Sequence, residues 1–276
     1  MKAEQKKTIW QMLKAASAAV EGFNAREFSQ EQEFFDDSEA ATSMASGQFA
    51  PAPQSFAQGQ NSAQSGGSLQ NNNLSQGQDS DPQFAAGATI ESIAQKIAAC
   101  SRCPLSQQRK NVVPGEGVSQ PLVLVVGEGP GADEDEQGRP FVGRAGQLLD
   151  KMLGAIGLSR GKNCFIANVV KCRPPMNRDP APQEAAACRS FLDAQIHVLK
   201  PKMVLAMGRV ALQNLLDTSI GINRLRGQIM DFKGIPFMAT YHPSALLRDE
   251  SLKRPAWEDL KTFRQKLLEI CPDYDK

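Results

Sequence analysis

Apolar residues are unevenly spread along this 276-residue chain. From about residue 5 to 22 they recur at helical spacing, with Ile9, Met12, Leu13 and Ala16 on one side. That predicts either a short exposed helix or a docking helix for a protein partner. From 38 to 87 bulky apolar residues nearly vanish among Gln, Ser, Asn, Gly and Ala. Such a stretch buries too little surface to offset its ordering entropy and reads as a disordered linker. The chain thus divides into an N-terminal helix and acidic segment (1–37), a linker (38–87) and a globular domain (88–276).

Within 88–276 short apolar runs alternate with amphipathic patterns. "ATIESIAQKIAAC" reads as a helix. "PLVLVVG", "CFIANVV", "KMVLAMG" and "IPFMATYH" read as strands. Between them lie helices: "RAGQLLDKMLGAIGL", with Leu148, Leu149, Met152, Leu153 and Ile156 on one face, about 183–199, and "RVALQNLLD". A last helix is expected from about 255 to 270. Strands separated by helices predict an α/β fold, a three-layer α/β/α sandwich with a central, mainly parallel sheet. In such sheets ligands bind beyond the carboxyl ends of the strands. The loops after Val126, Val170 and Tyr241 should therefore share one crevice.

Charge sharpens this picture. Through Gly87 the chain carries 5 basic and 10 acidic residues, and the remainder carries 26 and 20. The globular part is moderately basic, which suits a polyanionic partner. No apolar run approaches the roughly 18 residues of a membrane span. The basic start lacks the uninterrupted apolar core of a secretory signal, so the expectation is a cytoplasmic protein that uses no membrane. There, six cysteines read as metal ligands or plain thiols. Cys100 and Cys103 form C-x2-C, while Cys172 and Cys188 form a second, wider pair. Zinc and a [4Fe–4S] cluster both accept four thiolates; the long second spacing favours iron–sulfur. Cys164 and Cys271 read as ordinary thiols.

The crevice loops hold the unusual residues. "GEGPGADEDEQGRPFVG" places Gly127, Gly129 and Gly131 after a strand, but the spacing fits neither a dinucleotide fingerprint nor a P-loop. Its acids, Asp133 to Glu136, would repel phosphate, which points to an uncharged planar ligand or a cationic transition state. Phe141 is placed either to stack on that ligand or to fill the core. Asn168, near a strand end, offers a carbonyl and an amide to a base edge, or satisfies a turn. His242 follows a strand and is a candidate for chemistry, whereas His197 reads as structural. Leu246 and Leu247, ahead of Arg248, suit a wedge between stacked bases or the first turn of a helix packing inward.

Four blocks in order, "CSRCPLSQQRKNVVPGEG", "VVGEGPGADEDEQGRPFVGRAGQLLDKML", "NVVKCRPPMNRDP" with "CRSFL", and "TYHPSALLR", resemble a family 4 uracil-DNA glycosylase, the iron–sulfur branch of its superfamily. The resemblance runs from about Ala88 to Leu268. It implies base-excision repair: a monomer that flips uracil from uracil-containing DNA and hydrolyses its glycosidic bond. It further implies a structural [4Fe–4S] cluster on Cys100, Cys103, Cys172 and Cys188. Phe141 would stack on uracil, Asn168 would read its edge and His242 would stabilise the departing anion. Backbone amides of Gly127, Gly129 and Gly131 would hold the base. Ser244, Leu246, Leu247 and Arg248 would meet the DNA. Relatives have Asp at the position matching Gly129, so Glu128 and Asn177 become the candidates for handling water. Other readings are a superfamily member acting on other deaminated bases, or a non-catalytic zinc-dependent nucleic-acid-binding module. The first motif carries no His-containing insertion, which argues against relatives that trap DNA covalently.

Overall fold

Each apolar run predicted as a strand lies in one sheet. The computed structural model describes residues 87–275, within the compact unit Leu74–Lys276. The expected N-terminal helix and the linker up to residue 86 lie outside the described residues. In chain order the elements are α1 (Ile90–Ala98), β1 (Glu116–Gly117), β2 (Val123–Gly127), α2 (Ala132–Gln137), α3 (Arg144–Gly154), β3 (Cys164–Asn168), α4 (Pro182–Leu199), β4 (Met203–Met207), α5 (Arg209–Leu216), α6 (Ile222–Leu225), β5 (Met230–Phe232), β6 (Ile235–Thr240), α7 (Pro243–Arg248) and α8 (Lys253–Ile270).

The sheet order is β1-β3-β2-β4-β6-β5. β3, β2, β4 and β6 pair in parallel, while β1 and β5 are short antiparallel strands at the two edges. Every residue of β2, β3 and β4 is buried, as expected when both faces of a parallel sheet are covered. Alternation along β2 divides the core. Leu124 and Val126 pack with Ile93 and Ile97 of α1, Phe191 and Leu192 of α4, and Leu212 of α5. Val123 and Val125 pack with Leu149 and Leu153 of α3 and with Leu260, Phe263 and Leu267 of α8. These two clusters make the three layers, and each fully buried Leu or Phe contributes about 1.5–3 kcal/mol.

The acidic run was expected to be an open loop beside the ligand. It is instead the helix α2, capped by Gly138 at φ 68°. Three carboxylates in its first turn meet the positive end of the helix dipole. Two of the acids are also committed elsewhere: buried Asp135 accepts the backbone N–H of Lys110 (3.0 Å), and Glu136 pairs with Lys110. The expectation that the acids face the ligand or a cationic transition state is therefore corrected for Asp135 and Glu136. Only Asp133 and Glu134 reach the crevice.

Candidate active site

The chain leaves β2 towards β3 on one side and leaves β4 towards β6 on the other. At that divergence an α/β sheet opens a crevice. A cavity of about 820 Å³ lies there, lined from Glu128 to Glu134, by Phe141, Asn168 and Asn177, and by Gly208, His242 and Leu247. Loops far apart in sequence thus meet where the expected strand ends placed them.

Asn168 is the last residue of β3 and only 2% exposed. Its side-chain oxygen is the one buried side-chain polar atom without a hydrogen-bond partner among the described residues. An orphan of this kind costs about 1–3 kcal/mol, so its persistence points to a partner the protein does not supply. Gly127 lies against it: a Cβ there would stand 2.5 Å from Asn168 Oδ1 and 2.5 Å from Phe141 Cζ. Any side chain would part the amide from the ring. Phe141 is buried, with its backbone held at φ 53°. Arg160 clamps that conformation, donating to the carbonyls of Pro140 (2.8 Å) and Phe141 (2.9 Å) while pairing with Asp150 and Glu116.

The His242 ring lies 5.6 Å from the Phe141 ring, tilted by 34°. It caps α7: Nδ1 accepts the Ser244 N–H at 3.2 Å, and the Ser244 hydroxyl lies 2.8 Å away. A backbone donor on Nδ1 leaves the ring proton on Nε2. Burial, and secondarily the charge of Arg248, push His242 down to about 4. The ring is therefore a neutral hydrogen-bond donor. Gly208, at φ 91°, gives it room, since a Cβ there would stand 2.9 Å from His242 Cβ.

Glu128 follows β2 on the cavity wall. Burial first, and the charge of Asp179 second, push its carboxyl up to about 7, against the opposing pull of Arg209 and Arg248. Arg209 itself pairs with Asp179. Asn177 lines the cavity with its side-chain oxygen occupied by Arg173 Nε at 2.9 Å.

Three expected roles change. Leu246 is only 2% exposed and packs inward from α7, so it is no wedge; Leu247, 47% exposed on the cavity rim, keeps that position. Ser244 turns both its polar groups to His242. The Gly131 N–H is taken by Glu134 Oε2 at 3.0 Å. Glu134 was not singled out from the sequence, yet its other oxygen accepts from Val142 (2.8 Å) and Gly143 (3.0 Å), tying the glycine loop to the Phe141 loop. Its signal was legible as a carboxylate three residues after a helix cap. Arg160 offered no local signal, because its partners lie about 10 to 44 residues away. Arg144, exposed at the cavity mouth, was also missed.

Behind Asn168, Lys171 is 1% exposed and donates to the Asn168 carbonyl (2.7 Å) and to Gln195 Oε1 (2.7 Å). Gln195 in turn donates to the Pro114 carbonyl at 2.6 Å. The four paired cysteines gather beside this network. Cys172 and Cys188 are buried, and Cys100 and Cys103 pack against the same core. Cys172 and Cys188 both lie within electrostatic range of Cys103, and Arg109 donates to Cys172 Sγ at 3.0 Å. Among the described residues, no group of three His, Cys, Asp or Glu side chains is arranged to hold a single metal ion. Cys164 is buried in β3, and His197 is exposed on α4, outside the cavity lining.

A family model described as the Uracil DNA glycosylase superfamily matches residues 114–261. A type-4 uracil-DNA glycosylase of Thermotoga maritima is 45% identical over 176 residues, covering 62% of this chain and 91% of that protein. One from Pyrobaculum aerophilum is 42% identical over 185 residues, covering 63% and 92%. A type-5 uracil-DNA glycosylase of Thermus thermophilus is 31% identical over 157 residues, covering 46% and 71%.

Proposed function

Because this chain belongs to the uracil-DNA glycosylase superfamily, among its type-4 members, we propose that the cavity between β2 and β4 receives a uracil flipped out of DNA. The protein is a uracil-DNA glycosylase, an enzyme of DNA repair that hydrolyses the N-glycosidic bond and leaves an abasic site. The observation that carries the substrate is the buried amide of Asn168, whose oxygen has no partner. A carbonyl beside an amide N–H₂ complements the N3–H and O4 edge of uracil, whereas cytosine presents an unprotonated N3 and an amino group there.

Phe141 forms the stacking platform, fixed by Arg160. As the bond to the sugar lengthens, negative charge moves onto the uracil oxygens. The neutral His242 donates its Nε2–H to that charge, a donor set in place before the reaction and held by Ser244. The sugar becomes cationic, and Glu128, ionised, accepts a proton from the water that attacks it. Asn177 shapes the wall on the water side. Leu247 fills the gap left in the stack, and Arg144 and Arg248 meet phosphates at the mouth.

The four cysteines fit an iron–sulfur cluster by donor chemistry: four thiols from three segments, in an apolar setting, with the Arg109 guanidinium on one sulfur. Cys100, Cys103, Cys172 and Cys188 would hold a [4Fe–4S] cluster, which when bound supplies a covalent tie between α1, the loop after β3, and α4. We read the enzyme as a cytoplasmic monomer acting on uracil-containing DNA. No described helix is long and apolar enough to cross a membrane.

The test is single-turnover release of uracil from an oligonucleotide. His242→Ala and Asn168→Ala should each abolish most release while the protein stays folded and keeps its absorbance near 400 nm. Near-normal release by both variants would overturn the assignment. A colourless, zinc-containing protein producing no abasic DNA would favour a binding module instead.

A further inference from the structure

Met176 is the most exposed large apolar residue among those described, at 94%. It sits in the turn Pro175–Asn177 after β3, between the cavity-lining residues Pro174 and Asn177. Its backbone adopts φ 51°, and that of Asn177 φ 54°. Glycine or asparagine is at ease in this left-handed region, but a long side chain is not. Met176 is therefore unfavourable on two independent counts, by water exposure and by conformation. Strain of this kind persists where the surroundings impose it, and they do. Arg173 holds the Asn177 side chain, the Asn177 N–H donates to Pro174 (3.0 Å), and the Arg178 N–H donates to Pro175 (3.1 Å). Arg178 is anchored in turn by both oxygens of Glu184 (2.8 Å each). The loop presents an apolar tip on a rigid mount.

The sheet order separates the roots of the loops that carry Met176 and Leu247. Met176 follows β3 and Leu247 follows β6, with β2 and β4 between them. Three strand spacings put the two loop bases roughly 14 Å apart, on opposite flanks of the cavity. Successive nucleotides of a strand rise about 3.4 Å, so that distance spans about four steps. Loops rooted that far apart suit two separate contacts on the DNA better than one shared gap.

We propose that Met176 is a second DNA-opening contact, an apolar tip that packs against stacked bases on the flank opposite Leu247 and helps hold the duplex deformed while uracil occupies the cavity. This rests on the glycosylase reading above. Extruding uracil from a pair costs unstacking and unpairing that a single strand has largely forgone. A contact serving that step should therefore matter more in duplex than in single-stranded DNA.

The experiment compares Met176→Gly, Met176→Gln and Met176→Leu with the wild type, using single-turnover excision from a U·A duplex and from the same uracil strand alone. The ratio of duplex to single-strand rate should fall about tenfold in the Gly and Gln variants, the scale of losing one apolar contact to a base. The Leu variant should keep it. Met176→Gly should melt no lower than wild type, because glycine relieves the backbone; loss of duplex excision without loss of stability is a result that a purely structural role does not give. An unchanged ratio in Met176→Gly, or equal losses on both substrates, overturns the proposal. If the wild type releases uracil from neither substrate, the glycosylase reading fails first and this inference falls with it.

Discussion

Replacing Glu128 with Gln removes the one ionisable side chain in the cavity whose carboxyl is held near neutrality, at about 7. If the ionised form accepts the proton from water, about a tenth of the enzyme is competent at pH 6 and about nine tenths at pH 8. Wild-type single-turnover excision should therefore rise about tenfold per pH unit below pH 7 and level off above it. His242, at about 4, stays neutral throughout this window and adds no second limb. Glu128→Gln should lose about 10²–10⁴ in rate at pH 8, the usual worth of a positioned base, and its profile should be flat from pH 5.5 to 8.5. Two neighbours supply a sign test. Asp179 pushes Glu128 up and Arg209 pulls it down, so Asp179→Asn should move the limb to lower pH and Arg209→Gln to higher pH. Rates are best read on single-stranded DNA, where duplex opening does not intervene. An ascending limb that survives in Glu128→Gln, or neighbour variants that move it in the same direction, would refute the role given to this carboxylate.

Gly127→Ala should lower excision by at least tenfold with little change in fold, since its methyl would stand 2.5 Å from both Asn168 Oδ1 and Phe141 Cζ; wild-type excision would contradict the packing argument. Glu134→Ala strips the carboxylate from three backbone donors and should cost about 2–4 kcal/mol, a fall of roughly 5–10 °C in Tm, read by calorimetry. Arg160→Gln should raise KM more than it lowers stability, because the clamp on the Phe141 carbonyl is lost while the core is untouched; unaltered kinetics would count against it. Chelation of iron should bleach absorbance near 400 nm and destabilise the protein if the four cysteines hold a cluster.

The parallel strands were legible because a strand buried on both faces must be largely apolar, as β2 and β4 are throughout and β3 is up to its terminal Asn168. The positions of Asn168 and His242 followed from strand ends, whereas Phe141, between two helices, was read from its motif with a core role left open. What failed to show did so for identifiable reasons. The edge strands are too short to alternate detectably. Four consecutive acids read as a ligand-facing loop, when they were a helix start and anchors for Lys110. Leu246 and Leu247 are adjacent in sequence, and only the helical turn decides which faces inward. Arg160 acts through partners distant in sequence, and Lys171 joins the nearby Asn168 carbonyl to Gln195, 24 residues on, so no short window reveals either role. Glu134 alone carried a local signature that could have been used.

The two edge strands have a consequence for how this molecule meets others. β1 offers two residues of ladder and β5 three, and β5 turns back into β6 through Lys233 and Gly234, both with left-handed backbones. An extended segment from another molecule would find almost no backbone to zip against on either side. Strand-on-strand accretion, the usual hazard of a sheet with open margins, is closed off at both ends. Among the described residues, contacts at the sheet margins are therefore left to side chains and loops.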